Sequence, residues 1–163
     1  FSYIYINKKT KQMESIKEGK IYLRQEFAKG TECPCCGQFV KLYKRKLGSV
    51  MGRAIIRLYN LGEGYHHVKE IIKGISATGT NDFSKLKYWQ LIKEMSSHED
   101  LDKKNSGYWK ITQKGIEFVK QNIEVPSHVH IYNGKVLGFE DTTTNIITSL
   151  GNKFSYKELM NNN

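Results

Sequence analysis

Cysteine is scarce in this chain and stands in one place: Cys33, Cys35 and Cys36 are the only three among 163 residues. An odd, clustered set makes a poor disulfide framework, so the fold must be held by its core, and a reducing compartment or a metal is the expected context. Proline is scarcer, at 2 residues. Long apolar runs are missing, and no stretch approaches the ~20 apolar residues that a bilayer-spanning helix needs, so no membrane partner is expected. No charged-then-apolar leader opens the chain, which begins at Phe1, and the cytoplasm is the expected location. Acidic residues are also in deficit, 16 against 26 Lys and Arg, for a formal net charge of +10.

The charge is unevenly spread. Residues 1–48 carry +7 (11 basic, 4 acidic), residues 49–115 carry +4 (11 and 7), and residues 116–163 carry −1 (4 and 5). A field of this kind attracts polyanions, of which nucleic acid is the commonest inside cells. The competing explanation is a surface made lysine-rich for solubility alone. The remaining composition, 39% hydrophobic with 10 Tyr, 7 Phe and 2 Trp, is that of a folding chain long enough to bury a real core.

The periodicities predict an α+β protein: a winged-helix-like three-helix module over 49–122, preceded by a strand and cysteine-knuckle region over 1–48 and followed by a hairpin and helical tail over 123–163. Ser2 to Ile6 alternates as a strand, Lys20 to Leu23 reads as a second, and Gln38 to Lys46 alternates apolar and basic residues as a third. Helical spacing begins at Ser49, the expected N-cap, with Met51, Ile55, Leu58 and Tyr59 on one face and Arg53 and Arg57 on another, and Gly62 and Gly64 end it. A shorter helix covers Val68 to Lys73 and stops at Gly74. After the polar loop Ser76 to Asn81, Asp82 is the expected cap of a third helix carrying Phe83, Leu86, Trp89, Ile92 and Met95. The charged stretch His98 to Asn105 then leads into a strand, Tyr108 to Thr112, in the order expected of a wing, and Thr112 caps another helix. Asn133-Gly134 between two alternating runs is a strong hairpin signal, because both turn positions must accept positive φ. Helical turns at Asn145 to Leu150 and the capping pair Ser155 and Glu158 close the chain.

Cys33 and Cys36 form a C-x-x-C-G pattern in which two thiolates can reach one ion while Gly37 permits the turn beneath it. A structural zinc site needs four ligands, and only half is present here. Cys35, His66, His67, His128 and His130 are candidates for the rest, with His67 taken beside Cys33 and Cys36 as the ligand set; the alternatives are a partner chain, or a turn with reduced thiols and no metal. On the third helix, Lys87, Gln90 and Glu94 fall along one polar stripe able to meet phosphates and base edges, with Lys85 counted among the same contacts; the alternative is an ordinary solvated face, since Glu94, Glu99, Asp100 and Asp102 would repel phosphate. Lys103, Lys104 and Lys110 of the wing, Arg53 and Arg57, and Lys44, Arg45 and Lys46 extend this into one potential phosphate track. Catalytic patterns are missing: there is no P-loop, G-x-S-x-G or H-E-x-x-H, the adjacent His66 and His67 need not share a site, and Asp141 beside Glu140 lacks a partner.

The cysteine pattern followed by Val40 to Lys46, then Lys85-Leu86-Lys87-Tyr88-Trp89, Ile111-Thr112-Gln113-Lys114-Gly115, Val136-Leu137-Gly138-Phe139 and Phe154 to Leu159, resembles a family of small bacteriophage and prophage proteins without a settled function. The likeness runs from about Cys33 to Met160, and the Trp109 to Gly115 stretch also resembles the strand-to-helix corner of bacterial winged-helix regulators. What the resemblance implies is a phage context in a bacterial host cell. The expectation is therefore a non-enzymatic, DNA-binding regulator or accessory factor, dimeric in the manner of many such regulators. The alternative is a protein-binding inhibitor of a host or defence enzyme that uses the winged helix as a scaffold.

Overall fold

The structure is a computed structural model that describes residues 15–75, 82–96 and 106–161. The strand expected at Ser2 to Ile6 lies outside those residues. The one expected at Lys20 to Leu23 is instead the middle of a helix, α1 (Ile16–Glu26). Its cause is a reciprocal cap: Ser15 Oγ accepts from the Glu18 amide at 3.2 Å, and the Glu18 carboxylate accepts from the Ser15 amide at 3.2 Å. Two otherwise unpaired donors at the helix start are thereby satisfied, which outweighs the strand preference of Ile21 and Tyr22.

Two short strands, β1 (Thr31–Glu32) and β2 (Phe39–Val40), pair antiparallel around the cysteine turn. The single strand expected from Gln38 to Lys46 is therefore broken in two. Leu42 donates its amide to the Phe27 carbonyl at 2.8 Å, which draws the chain out of line before β3 (Tyr43–Lys46) joins a different sheet. Next comes α2 (Ser49–Asn60), which buries Met51, Ala54, Ile55, Ile56 and Leu58. Full burial of each large aliphatic side chain is worth about 1.5–3 kcal/mol over exposure. Gly62 and Gly64 follow it with φ of 88° and 101°, as the helix stop requires.

β4 (His66–His67) and α3 (Val68–Ile71) come next, then a 3₁₀ helix over Ser84–Trp89, β5 (Ile92–Glu94), β6 (Tyr108–Ile111) and α4 (Gln113–Val119). The third helix expected from Asp82 to Met95 thus ends at Trp89. Gln90 turns left-handed (φ 61°), and its carbonyl accepts from Thr112 Oγ1 at 2.7 Å, while the Leu91 carbonyl accepts from the Thr112 amide at 3.1 Å. Pairing of Ile92 with Ile111 and of Glu94 with Trp109 takes the backbone groups that a helix would have used. The resulting antiparallel sheet has the order β4-β6-β5.

The tail supplies β7 (Val125–Pro126), β8 (His128–Tyr132), β9 (Lys135–Phe139), β10 (Thr143–Thr144), α5 (Ile146–Leu150) and α6 (Tyr156–Asn161). The β8–β9 hairpin turns on Asn133 and Gly134, whose φ values of 48° and 71° are both positive as expected. Here β8 is central in the sheet β3-β8-β9, so residues from the two ends of the chain share one sheet. The core runs through α2, with Trp109 of β6, Phe118 of α4, Val129 and Ile131 of β8, and Ile146 and Leu150 of α5 in one cluster. No helix among the described residues is long and apolar enough to cross a membrane.

Candidate nucleic-acid interface

β3 is an edge strand paired antiparallel with β8, which sets Lys44 opposite His130, Arg45 opposite Val129 and Lys46 opposite His128. Side chains alternate across a strand, so Lys44 and Lys46 share a sheet face with the two histidines. After Leu47 is buried in the core, the chain turns directly into α2. The cap residue is Gly48 and not the expected Ser49, which is the first helical residue; Gly48 has no side chain to offer the first amides, and the first turn holds no acidic residue. Those amides and the helix dipole leave a partial positive charge at this end. A groove of about 360 Å³ opens here, lined by Lys44, Arg45 and Lys46, by Gly48 to Met51, and by Asp82 as its one acidic residue.

Lys85, on the 3₁₀ helix, abuts the same region. Burial and then the Arg45 charge push its ammonium below the usual lysine range, with Asp82, 4.0 Å away, opposing them. On the other flank, Glu140 Oε1 stands 2.6 Å from Lys44 Nζ and 2.9 Å from His130 Nε2. The hydrogen bond from Lys44, followed by that from His130, holds this carboxyl below the ordinary range. His128 Nδ1 lies 2.8 Å from Ser127 Oγ. Burial, then the Lys44 charge, pushes the His128 ring toward its neutral form. Sequence reasoning missed His128, His130 and Glu140 as neighbours of the basic strand. The signal that could have found them is the His-x-His alternation before Asn133-Gly134, which a strand partner with a Lys-x-Lys alternation complements.

The structure gathers only part of the expected basic track. Lys44, Arg45, Lys46 and Lys85 come together, and Lys87 stands near them on the 3₁₀ helix, its ammonium 5.7 Å from the Tyr88 ring. Gln90 is the left-handed residue that closes that helix, not a member of a helical stripe. Arg53 and Arg57 line a separate cavity of about 130 Å³ with Asn60 and Leu159. Arg53 donates to the Ile75 carbonyl at 3.1 Å and stacks 4.1 Å over the Phe154 ring. Lys110, on β6, lies 5.1 Å over the Tyr65 ring. Lys103 and Lys104 lie outside the described residues.

At the cysteine turn, the Gly37 amide donates to the Cys33 carbonyl at 2.8 Å, and Gly37 has a φ of 72°. The Cys33 thiol is held below the usual thiol range by the backbone amides of Cys35 and Cys36, then by the Cys36 thiol. The structure does not bring His67 to this pair. His67 caps α3, accepting from the Lys69 amide at 3.2 Å, and packs edge-on against Tyr108 with ring centroids 5.0 Å apart. Among the described residues no three or more His, Cys, Asp or Glu side chains converge in a way that could hold a metal ion. The chain matches no protein-family model, no curated protein and no solved structure.

Proposed function

We propose that this is a non-enzymatic nucleic-acid-binding protein of bacteriophage or prophage origin, which seats a duplex DNA backbone in the groove between β3 and the first turn of α2. The observation that carries the reading is the convergence there of Lys44, Arg45 and Lys46 with an uncapped helix start, and Lys85 alongside. Unshared amides and fixed cations are the groups that bind phosphate oxygens. The order α2, β4, α3, 3₁₀ helix, β5, β6 and the sheet order β4-β6-β5 support a winged-helix-like architecture. In that architecture the element nearest a DNA groove is the six-residue 3₁₀ segment with Lys85 and Lys87. So short a reader favours backbone contact over base readout.

Four phosphate contacts imply a slope of about −3.6 for log affinity against log salt, since each contributes about −0.9. Binding to a random-sequence duplex, followed by fluorescence anisotropy, should weaken roughly 150-fold between about 50 and 200 mM salt. A slope near zero would refute the proposal. A protein-binding reading has its own support in β9, an edge strand that exposes Val136 (38%), Leu137 (54%) and Phe139 (43%). Such edges accept partner strands. Absent DNA binding, with a stoichiometric host-protein complex lost in Leu137→Lys, would favour that reading.

A further inference from the structure

Arg53 and Arg57 are the basic residues of α2 that the DNA groove leaves out, and they open onto a cavity of their own. Side chains four residues apart on a helix are neighbours, with Cβ atoms about 5–6 Å apart, and like charges so placed repel each other. A carboxylate beside them would offset that repulsion. The rest of the wall, made by Ile56, Asn60, Gly74, Ile75 and Leu159, holds no acidic residue. Among the described residues neither guanidinium is in an ion pair.

Arg53 is half-buried and held from two sides, since it donates to the Ile75 carbonyl at 3.1 Å and its guanidinium lies 4.1 Å from the centre of the Phe154 ring. Its orientation is thereby fixed. Its Nε is buried and has no hydrogen-bond partner among the described residues. Buried donors on charged groups are costly to leave unpaired, so this N–H calls for an acceptor from outside the wall. Asn60 Nδ2 donates to the Leu159 carbonyl at 2.9 Å, which ties α6 to α2 at the cavity. Arg57 is exposed, so a second guanidinium is free to close on whatever enters.

Size and charge narrow the occupant. Pockets for drug-sized ligands begin at about 300 Å³, and this cavity of about 130 Å³ admits only a small group. A phosphate monoester carries a charge of about −1.5 to −2 at neutral pH, which matches two guanidinium groups, whereas a DNA backbone diester carries a single charge. Guanidinium is also the side chain best shaped to hold phosphate oxygens through paired N–H donors. We infer that the cavity between α2, Gly74 to Ile75 and α6 receives a terminal phosphate, held by Arg53 and Arg57. The phosphate belongs either to a small phosphorylated molecule or to a phosphorylated nucleic-acid end. The inference does not rest on DNA binding by the β3 groove.

The test titrates the full chain with methyl phosphate by calorimetry at constant ionic strength. One equivalent per chain is expected, with affinity rising between about pH 5 and pH 7 as the probe takes its second charge near pH ~6. No titratable side chain besides the two arginines lines the cavity, so this pH dependence belongs to the phosphate. Arg57→Gln alters an exposed side chain and should cost at least about tenfold in affinity, the loss of one charge-assisted contact. Arg53→Lys keeps the charge but removes Nε, and should weaken binding to a similar degree. Lys114→Gln removes the same charge from α4, off the cavity wall, and should leave the affinity within about twofold. A 5′-phosphorylated trinucleotide set against its 5′-hydroxyl counterpart distinguishes the sources: tighter binding of the phosphorylated form that is lost in Arg57→Gln assigns a nucleic-acid end, and equal binding of the two assigns a small phosphorylated molecule. No heat from methyl phosphate at millimolar concentration, an affinity flat with pH, a folded Arg57→Gln protein that binds as the wild type does, or equal losses in Arg57→Gln and Lys114→Gln would each overturn the proposal.

Discussion

Glu140 occupies Lys44, and removing its charge should strengthen DNA binding. The carboxylate lies 2.6 Å from Lys44 Nζ, and both side chains are partly open to solvent, at 52% and 28%. In Glu140→Gln the amide oxygen can still accept from His130, so the sheet contact is preserved while Lys44 no longer shares its charge with a carboxylate when it meets a phosphate. Repulsion between a carboxylate and a phosphate about 4 Å apart is worth about 1 kcal/mol in water, roughly fivefold in affinity. The number of phosphate contacts stays at four, so the salt slope should remain at about −3.6 while the affinity rises at every salt concentration. The assay is fluorescence anisotropy on a random-sequence duplex across a salt series, with a thermal melt to show that the variant remains folded. Unchanged or weaker affinity in a folded variant would refute the assignment of Lys44 to the interface.

Other consequences concern the frame that positions the groove. A Cβ on Gly115 would stand 2.2 Å from the Leu91 carbonyl oxygen and 2.7 Å from Ile111 Cγ1, so Gly115→Ala should cost about 1–3 kcal/mol through overpacking, read as a lower urea midpoint; a change under about 0.5 kcal/mol would contradict this packing. Trp89 is 1% exposed and donates to the Pro126 carbonyl at 2.6 Å. Trp89→Phe should therefore cost about 1–3 kcal/mol by stranding that acceptor, and an unshifted urea midpoint would show the hydrogen bond to be unimportant. The His128 and Glu140 shifts beside β3 point the same way with pH. His128 is lowered from 6.5, so its contribution is fully present above that value and is lost as pH falls below it toward the folded-state pKa; Glu140 is lowered from 4.5, so its contribution is present above 4.5 and is lost as pH falls through its folded-state pKa. The melting temperature should fall on acidification from neutral pH, less so in His128→Asn; a flat profile over that range would contradict the burial of a neutral ring.

Elements defined by local chemistry were legible in the sequence. α2 with its glycine stop, the Thr112 cap of α4, the Asn133-Gly134 turn, and the Asn145 and Ser155 helix starts all rest on contacts within a few residues. The Ser15 and Glu18 cap was equally local, and could have identified α1. The third helix was not legible in the same way, because Leu91-Ile92 serves a helix face or a strand equally well. What decides it is Thr112, more than twenty residues on, which captures the Gln90 and Leu91 carbonyls. The groove depends on pairing that is more distant still: Lys44 and His130 meet only because β8 returns to β3. Alternating charge showed that Lys44 to Lys46 was basic, but not that Glu140 would neutralise part of it. Nor could it show that Arg53 and Arg57 open onto another cavity.

The most direct test of the central claim is the salt slope of duplex DNA binding for wild type beside the triple variant Lys44→Gln, Arg45→Gln, Lys46→Gln. Removal of three of four phosphate contacts should flatten the slope by about 2.7, from about −3.6 to about −0.9, and weaken binding most at low salt. A folded triple variant with the wild-type slope would place the DNA elsewhere on the molecule and contradict the claim.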